Sequence, residues 1–189
     1  MSHFADVQQP GTDRFIFEPT SGNTGVGIAM LAAERGYEFI AVISEGMTIE
    51  RRQTMALLGA KFIVTEGSKG TNWAIEKAYE MAAENPQYLL LDQFNNPANT
   101  EAHYTTTGPE ILRDVPEITH FVGGMGTGGT LMGVHQYMKE HKPEVKIIGL
   151  EPMIGTKIQG LRKMEGFIPG IYHEDRLDEK IALDDEEAL

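Results

Sequence analysis

The 189-residue sequence contains no cysteine, which removes disulfides, thiolate-held metals and cysteine nucleophiles together. That lack fits a reducing compartment, so a cytoplasmic location is expected. No run approaches the roughly 18 apolar residues of a membrane span, and the Met1–Pro10 start lacks a signal-peptide core. No membrane partner is expected. Basic residues are scarce, 16 Lys and Arg against 28 Asp and Glu, for a net charge of −12. A nucleic-acid binder must neutralise phosphates with such residues, so nucleic acid is not an expected partner. Half of the excess sits in His173–Leu189, where eight acids and two bases read as a solvated surface segment. The six histidines suggest no metal-ligand cluster, and no metal site is expected. What remains is ordinary for a globular protein, with 41% hydrophobic and 23% charged residues.

Along the chain, β-prone and helical segments alternate. Arg14–Glu18, Phe39–Ile43, Lys61–Thr65, Tyr88–Leu91, His120–Val122, Val145–Leu150 and Ile181–Leu183 read as strands. Thr24–Arg35 reads as a helix, with Ile28, Leu31, Ala32 and Arg35 on one stripe and Gly36 as its stop. A second helix starts at Thr48 and ends by Gly59; Gly70–Glu84 and Gly129–Glu140 are the other two. The methionines, mostly in helical segments, read as core filler. Strands alternating with helices predict a parallel α/β sheet with ligands at the strands' carboxyl ends. Asn95–Asn99 is polar with one proline, and its turn chemistry suggests a domain crossover near residues 95–108.

Two loops leave a strand and open a helix. Glu18–Gly25 (EPTSGNTG) packs hydroxyls, an amide and two glycines ahead of a helix N-terminus, where backbone N–H groups and the positive dipole end suit a carboxylate or phosphate. One capping residue, Ser21, Asn23 or Thr24, would suffice for a bare helix start, so an anion site is the better reading. The second loop, Gly123–Thr130 (GGMGTGGT), lets backbone close around phosphate oxygens while Thr127 and Thr130 add donors. Gly124, Gly126 and Gly129 also satisfy the dinucleotide G-x-G-x-x-G pattern, with Glu151 as its possible ribose acid. The threonines are not part of that fingerprint, and a phosphate cup is favoured. His103-Tyr104 and Thr105–Thr107 could be structural or line a pocket.

At these loops the sequence resembles a known family. Pro19–Gly25 (PTSGNTG), Asp92–Pro97 (DQFNNP), His103–Ile111 (HYTTTGPEI) and Gly124–Gly133 (GMGTGGTLMG) are similar, in order and spacing, to the cysteine synthases. These are the O-acetylserine sulfhydrylases, pyridoxal-phosphate enzymes of fold type II. The likeness runs from about Arg14 to Leu189, and His103–Ile111 leans toward the B-type. It implies a two-lobed α/β fold of mostly parallel sheets flanked by helices, incomplete at both ends. Residues 1–13 stay unplaced, 14–105 would form a smaller lobe with the substrate loop, and 106–189 part of a larger cofactor-binding lobe.

The resemblance implies pyridoxal 5′-phosphate as cofactor and an amino acid as substrate, in a homodimer. Its reaction would be β-replacement of O-acetyl-L-serine with sulfide, giving L-cysteine and acetate. Thr20, Ser21, Gly22, Asn23 and Thr24 would grip the substrate carboxylate with help from Gln93, Asn23 also reaching the cofactor's ring hydroxyl. Gly126, Thr127, Gly128, Gly129 and Thr130 would cradle the phosphate. The family's Schiff-base lysine stands in a Ser-x-Lys-Asp-Arg type segment upstream of the substrate loop. Here nineteen residues precede Thr20, none of them lysine, and none of the nine lysines has that context. No catalytic residue is therefore assigned, and residues 1–189 alone are expected to be inactive. The alternatives are a cystathionine β-synthase-like enzyme and a non-catalytic piece that binds only a phosphate ligand or partner.

Overall fold

A computed structural model describes residues 14–20, 22–156, 158 and 160–188; the unplaced 1–13 segment and Ser21 lie outside the described residues. Two compact units part between Asp92 and Gln93.

In the first unit, β1 (Phe15–Pro19), β2 (Phe39–Ser44), β3 (Lys61–Thr65) and β4 (Tyr88–Leu90) form one parallel sheet in the order β3-β2-β1-β4. Every residue of β2 is buried, as its unbroken apolar run requires. Alternate residues serve opposite faces. Ile16, Phe39, Ala41 and Ile43 join the core under α1 (Asn23–Arg35) and α2 (Ile49–Leu57), whereas Phe17, Ile40 and Val42 pack with Ala74 and Ala78 of α3 (Gly70–Glu84). The buried stripe of α1 is Gly25, Ile28, Ala29 and Ala32. Leu31, expected on that stripe, is exposed beside Met30, so methionine is core filler at Met55, Met125, Met132 and Met138 but not at Met30. Gly36 stops α1 in the left-handed conformation, φ 72°, with no side-chain penalty.

In the second unit, β5 (His120–Gly124), β6 (Lys146–Pro152) and β7 (Glu179–Leu183) form a parallel sheet in that order. It packs on α6 (Gly129–His141) through Leu131, Met132, Val134, Met138 and Ile147. The expected crossover at 95–108 is mostly helix instead. Asn96 caps α4 (Pro97–Ala102) by accepting from Ala98 N–H at 3.0 Å, and Pro97 sits at the first turn, where its missing N–H costs nothing. A π-helical turn, His103–Thr107, and α5 (Gly108–Asp114) follow. Both α4 and the π-helical turn lie against α6, within the unit that begins at Gln93. Near the end of the chain Asp184 accepts from the N–H groups of Glu186 and Glu187, while the Glu187 carboxylate accepts from Asp184 N–H. This is the reciprocal pairing of a helix start. No helix among the described residues is long and apolar enough to cross a membrane.

One carboxylate ties β7 to the sheet. Asp178 accepts from Lys146 Nζ and Ile147 N–H at 2.8 and 2.9 Å, with Lys139 Nζ 3.6 Å away. The Lys146 hydrogen bond, then the Ile147 N–H, pull its pKa down to about 2, from about 3.9 in an unfolded chain. A carboxylate with a depressed folded value contributes stability that is complete above the unfolded value and is lost as pH falls toward the folded one. Asp178→Asn is therefore expected to lower the melting temperature at pH 7 and to remove part of the steepness between about pH 4 and pH 2. Parallel melting curves for parent and variant across that window would refute the role.

Candidate functional site

The first loop opens α1 from a glycine. Thr20, at the end of β1, is buried and donates its N–H to Val42 O at 3.1 Å. Gly22 takes the N-cap place with extended backbone, φ −137° and ψ −151°. Asn23 and Thr24 are exposed there, and no acidic residue occupies that turn. Gly25 follows because a Cβ there would lie 2.7 Å from both Met55 Sδ and Thr20 Cγ2; the helix start is pressed onto the end of β1.

A buried carboxylate stands behind this loop. Glu18 is wholly buried and accepts from Asp92 N–H at 2.8 Å. Asp92 adopts φ 58°, a left-handed backbone that asparagine and aspartate tolerate better than most residues. The Asp92 carboxylate accepts from the Tyr79 hydroxyl. Burying an ionised group is costly unless it is hydrogen-bonded, and Glu18 meets that condition where β4 ends and the chain turns to Gln93.

The second loop lies wholly within the second unit. Gly128 takes the N-cap place of α6 with φ 87°. A Cβ at Gly128 would stand 2.9 Å from Tyr172 Cδ2. Gly129 N–H donates to Thr127 Oγ1 at 3.3 Å, and Asn99 Nδ2 donates to the same oxygen at 3.0 Å. Asn99 Nδ2 also donates to Gln93 O at 2.8 Å. Thr130 Oγ1 shares a 3.0 Å hydrogen bond with His103 Nε2, whose Nδ1 meets Thr107 Oγ1 at 2.9 Å. Burial lowers the His103 pKa, which favours the neutral ring between two hydroxyls. Neither Asn99 nor His103 was assigned from sequence. The Asn95–Asn99 stretch reads as turn chemistry, and only the packing of α4 on α6 shows where Asn99 reaches.

Thr20, Gly22, Asn23 and Thr24 thus cluster in the first unit, while Gln93 and Gly126–Thr130 are linked through Asn99 in the second. The dinucleotide reading fails at Glu151. It is buried, accepts from Met164 N–H at 3.2 Å and faces Lys180 Nζ at 3.9 Å, so it is spent on structure. What the cup fits is a compact anion: glycine backbone, a helix N-terminus and hydroxyls held from behind.

A parallel α/β unit with such a loop between strand and helix defines a class of cofactor-binding proteins. The chain belongs to the pyridoxal-phosphate dependent enzymes, whose family model matches residues 2–189. It is 43% identical to cysteine synthase A of Salmonella typhi over 201 residues, covering 97% of this chain and 62% of that protein. It is 42% identical to cysteine synthase B of Pseudomonas aeruginosa over 175 residues, covering 92% and 58%. A- and B-type relatives therefore stand equally near. Among solved structures it resembles O-ureido-L-serine synthase, with a TM-score of 0.85 and 35% identity over 98% of this chain and 61% of that one. It also resembles O-acetylserine sulfhydrylase isoform 3 of Entamoeba histolytica, with a TM-score of 0.82 and 33% identity over 99% and 58%. The chain spans about three-fifths of the length of these relatives.

Proposed function

We propose that Gly126–Thr130 holds the phosphate of pyridoxal 5′-phosphate and that the activity these residues serve is cysteine synthesis from O-acetyl-L-serine and sulfide, with release of acetate. One observation carries the cofactor reading. The Thr127 hydroxyl accepts two hydrogen bonds from behind, at the start of α6, and so keeps its own proton to donate. The names of the relatives support the reaction. When bound, the cofactor supplies the electron sink for loss of the substrate's α-proton. The chain's own residues bind and orient: Thr20, Ser21, Gly22, Asn23 and Thr24 receive the amino-acid carboxylate at the head of α1, and Gln93 assists. Asn23 further reaches the cofactor's ring hydroxyl. A homodimer, a cytoplasmic location and a division into a substrate-loop lobe and a cofactor lobe go with this reading.

Two measurements test it. Gly128→Asp adds a negative charge and a side chain against Tyr172 at the cup's left-handed residue, and it is expected to weaken pyridoxal-phosphate binding to residues 1–189 at least about tenfold by equilibrium dialysis. Equal affinity would place the cup elsewhere. For the reaction, residues 1–189 joined to the segments of a cysteine synthase that they do not span should form cysteine from O-acetylserine and sulfide. Product formation with homocysteine in place of sulfide would instead favour cystathionine β-synthase chemistry.

A further inference from the structure

We propose that Asn99 is a positioning residue that presets the Thr127 hydroxyl as a phosphate donor and ties it to Gln93. The inference rests on the cup reading above and goes beyond it by naming what orients the cup. Asn99 lies on α4, half-buried, and both of its bonds to these groups come from the same nitrogen: 2.8 Å to Gln93 O and 3.0 Å to Thr127 Oγ1. A carbonyl oxygen only accepts, so Gln93 O fixes which end of the amide faces inward. The second proton of that nitrogen then goes to Thr127. A hydroxyl has one proton and two acceptor sites. At Thr127 the acceptor sites face Asn99 Nδ2 and Gly129 N–H, and the proton is left to point away from both. The hydroxyl is thus polarised as a donor before any anion arrives, with no rotor to order on binding.

Gly129 bears the imprint of the same residue. A Cβ there would fall 2.1 Å from Asn99 Oδ1, so the cup's fourth residue is glycine because the Asn99 amide occupies that space. A bond that merely fastened α4 to α6 could end on any polar atoms of those helices. This one ends instead on Gln93 and Thr127, both assigned to ligand binding.

The test is equilibrium dialysis of residues 1–189 with pyridoxal phosphate, together with the 31P resonance of the bound cofactor and circular dichroism to check folding. Asn99→Ala and Thr127→Val are each expected to weaken binding about tenfold, the scale of one lost hydrogen bond to a charged group. The double variant should be no weaker than either single one, because Asn99 acts through Thr127. A double loss near the product of the two would show that Asn99 works independently and would overturn the inference. Asn99→Asp keeps the size and supplies a second route should Asn99→Ala not fold. Ionised, it has no proton to give and accepts the Thr127 proton instead. It should weaken binding more than tenfold and move the 31P resonance toward that of the unbound cofactor; parental affinity would overturn the inference. Gly128→Asp separates the two levels. If it abolishes binding while both Asn99 variants bind normally, the cup stands and the Asn99 role falls. If Gly128→Asp also binds normally, the cup reading falls, and this inference with it.

Discussion

Gly133→Ala is expected to lower the melting temperature of residues 1–189 by roughly 10 °C, on the scale of about 3 kcal/mol lost from a unit of this size. On α6, Gly133 faces the point where α4 runs into the π-helical turn. A Cβ there would stand 2.5 Å from Thr100 O, 2.6 Å from His103 Cβ and 2.8 Å from Tyr104 N. Two of those three atoms are backbone, and backbone cannot swing aside as a side-chain tip can. Relief requires α6 to move away from α4, and that movement would draw Thr130 from His103 and Thr127 from Asn99. Cofactor binding should therefore fall with stability. Gly27→Ala is the control. Gly27 is exposed inside α1 with nothing within 4 Å of its added Cβ, and alanine is the better helix former by about 1 kcal/mol. Its melting temperature should stay or rise. If both variants melted with the parent, the close approach at Gly133 would carry no energetic weight.

The contrast between those glycines also shows how far the sequence could be read. Both stand in helices next to a glycine-bearing loop, and nothing in their spacing separates them. The strands of the first unit were legible because burial on both faces leaves runs such as Phe39–Ile43 with no polar interruption, and Lys61–Thr65 and Gly70–Glu84 came out with their observed bounds. Helices α4 and α5 were not legible. Pro97 and Gly108-Pro109 look like breakers, the threonines of His103–Thr107 are poor helix formers, and the stretch is held by packing on α6 that no local propensity encodes. The site divided in the same way. Its two loops were visible as polar and glycine residues in excess of what capping needs, and the structure puts a glycine at the N-cap of both helices. Asn99 was hidden because its partners, Gln93 and Thr127, lie far apart in sequence from one another and meet only through the fold.

Residues 1–189 alone, purified with pyridoxal phosphate, are expected to give no borohydride-fixed lysine adduct and no cysteine from O-acetylserine and sulfide. An amine must shed its proton to attack an aldehyde, and proteins prepare such lysines by desolvation or by a neighbouring cation, which lower the pKa. The described lysines have the opposite surroundings. Lys61 pairs with Glu38, Lys69 with Glu66 and Lys77 with Glu80, the last two also lying over the Trp73 ring. Lys139 and Lys146 face Asp178, Lys142 donates to Pro116 O, and Lys163 pairs with Glu165. Lys180 bonds to Glu174 at 2.7 Å, and that bond raises its pKa, away from the value a nucleophile needs. Each of these ammonium groups meets a carboxylate or a backbone carbonyl. Lys157 lies outside the described residues, so the assay must identify residues as well as count them. The visible spectrum before and after borohydride, followed by peptide mass spectrometry, does both. A cofactor that binds the cup yet keeps its free-aldehyde absorbance and reduces without labelling protein is the expected result. One fixed cofactor per chain on any of the nine lysines, accompanied by turnover, would show that these residues carry their own nucleophile, and mass spectrometry would name it.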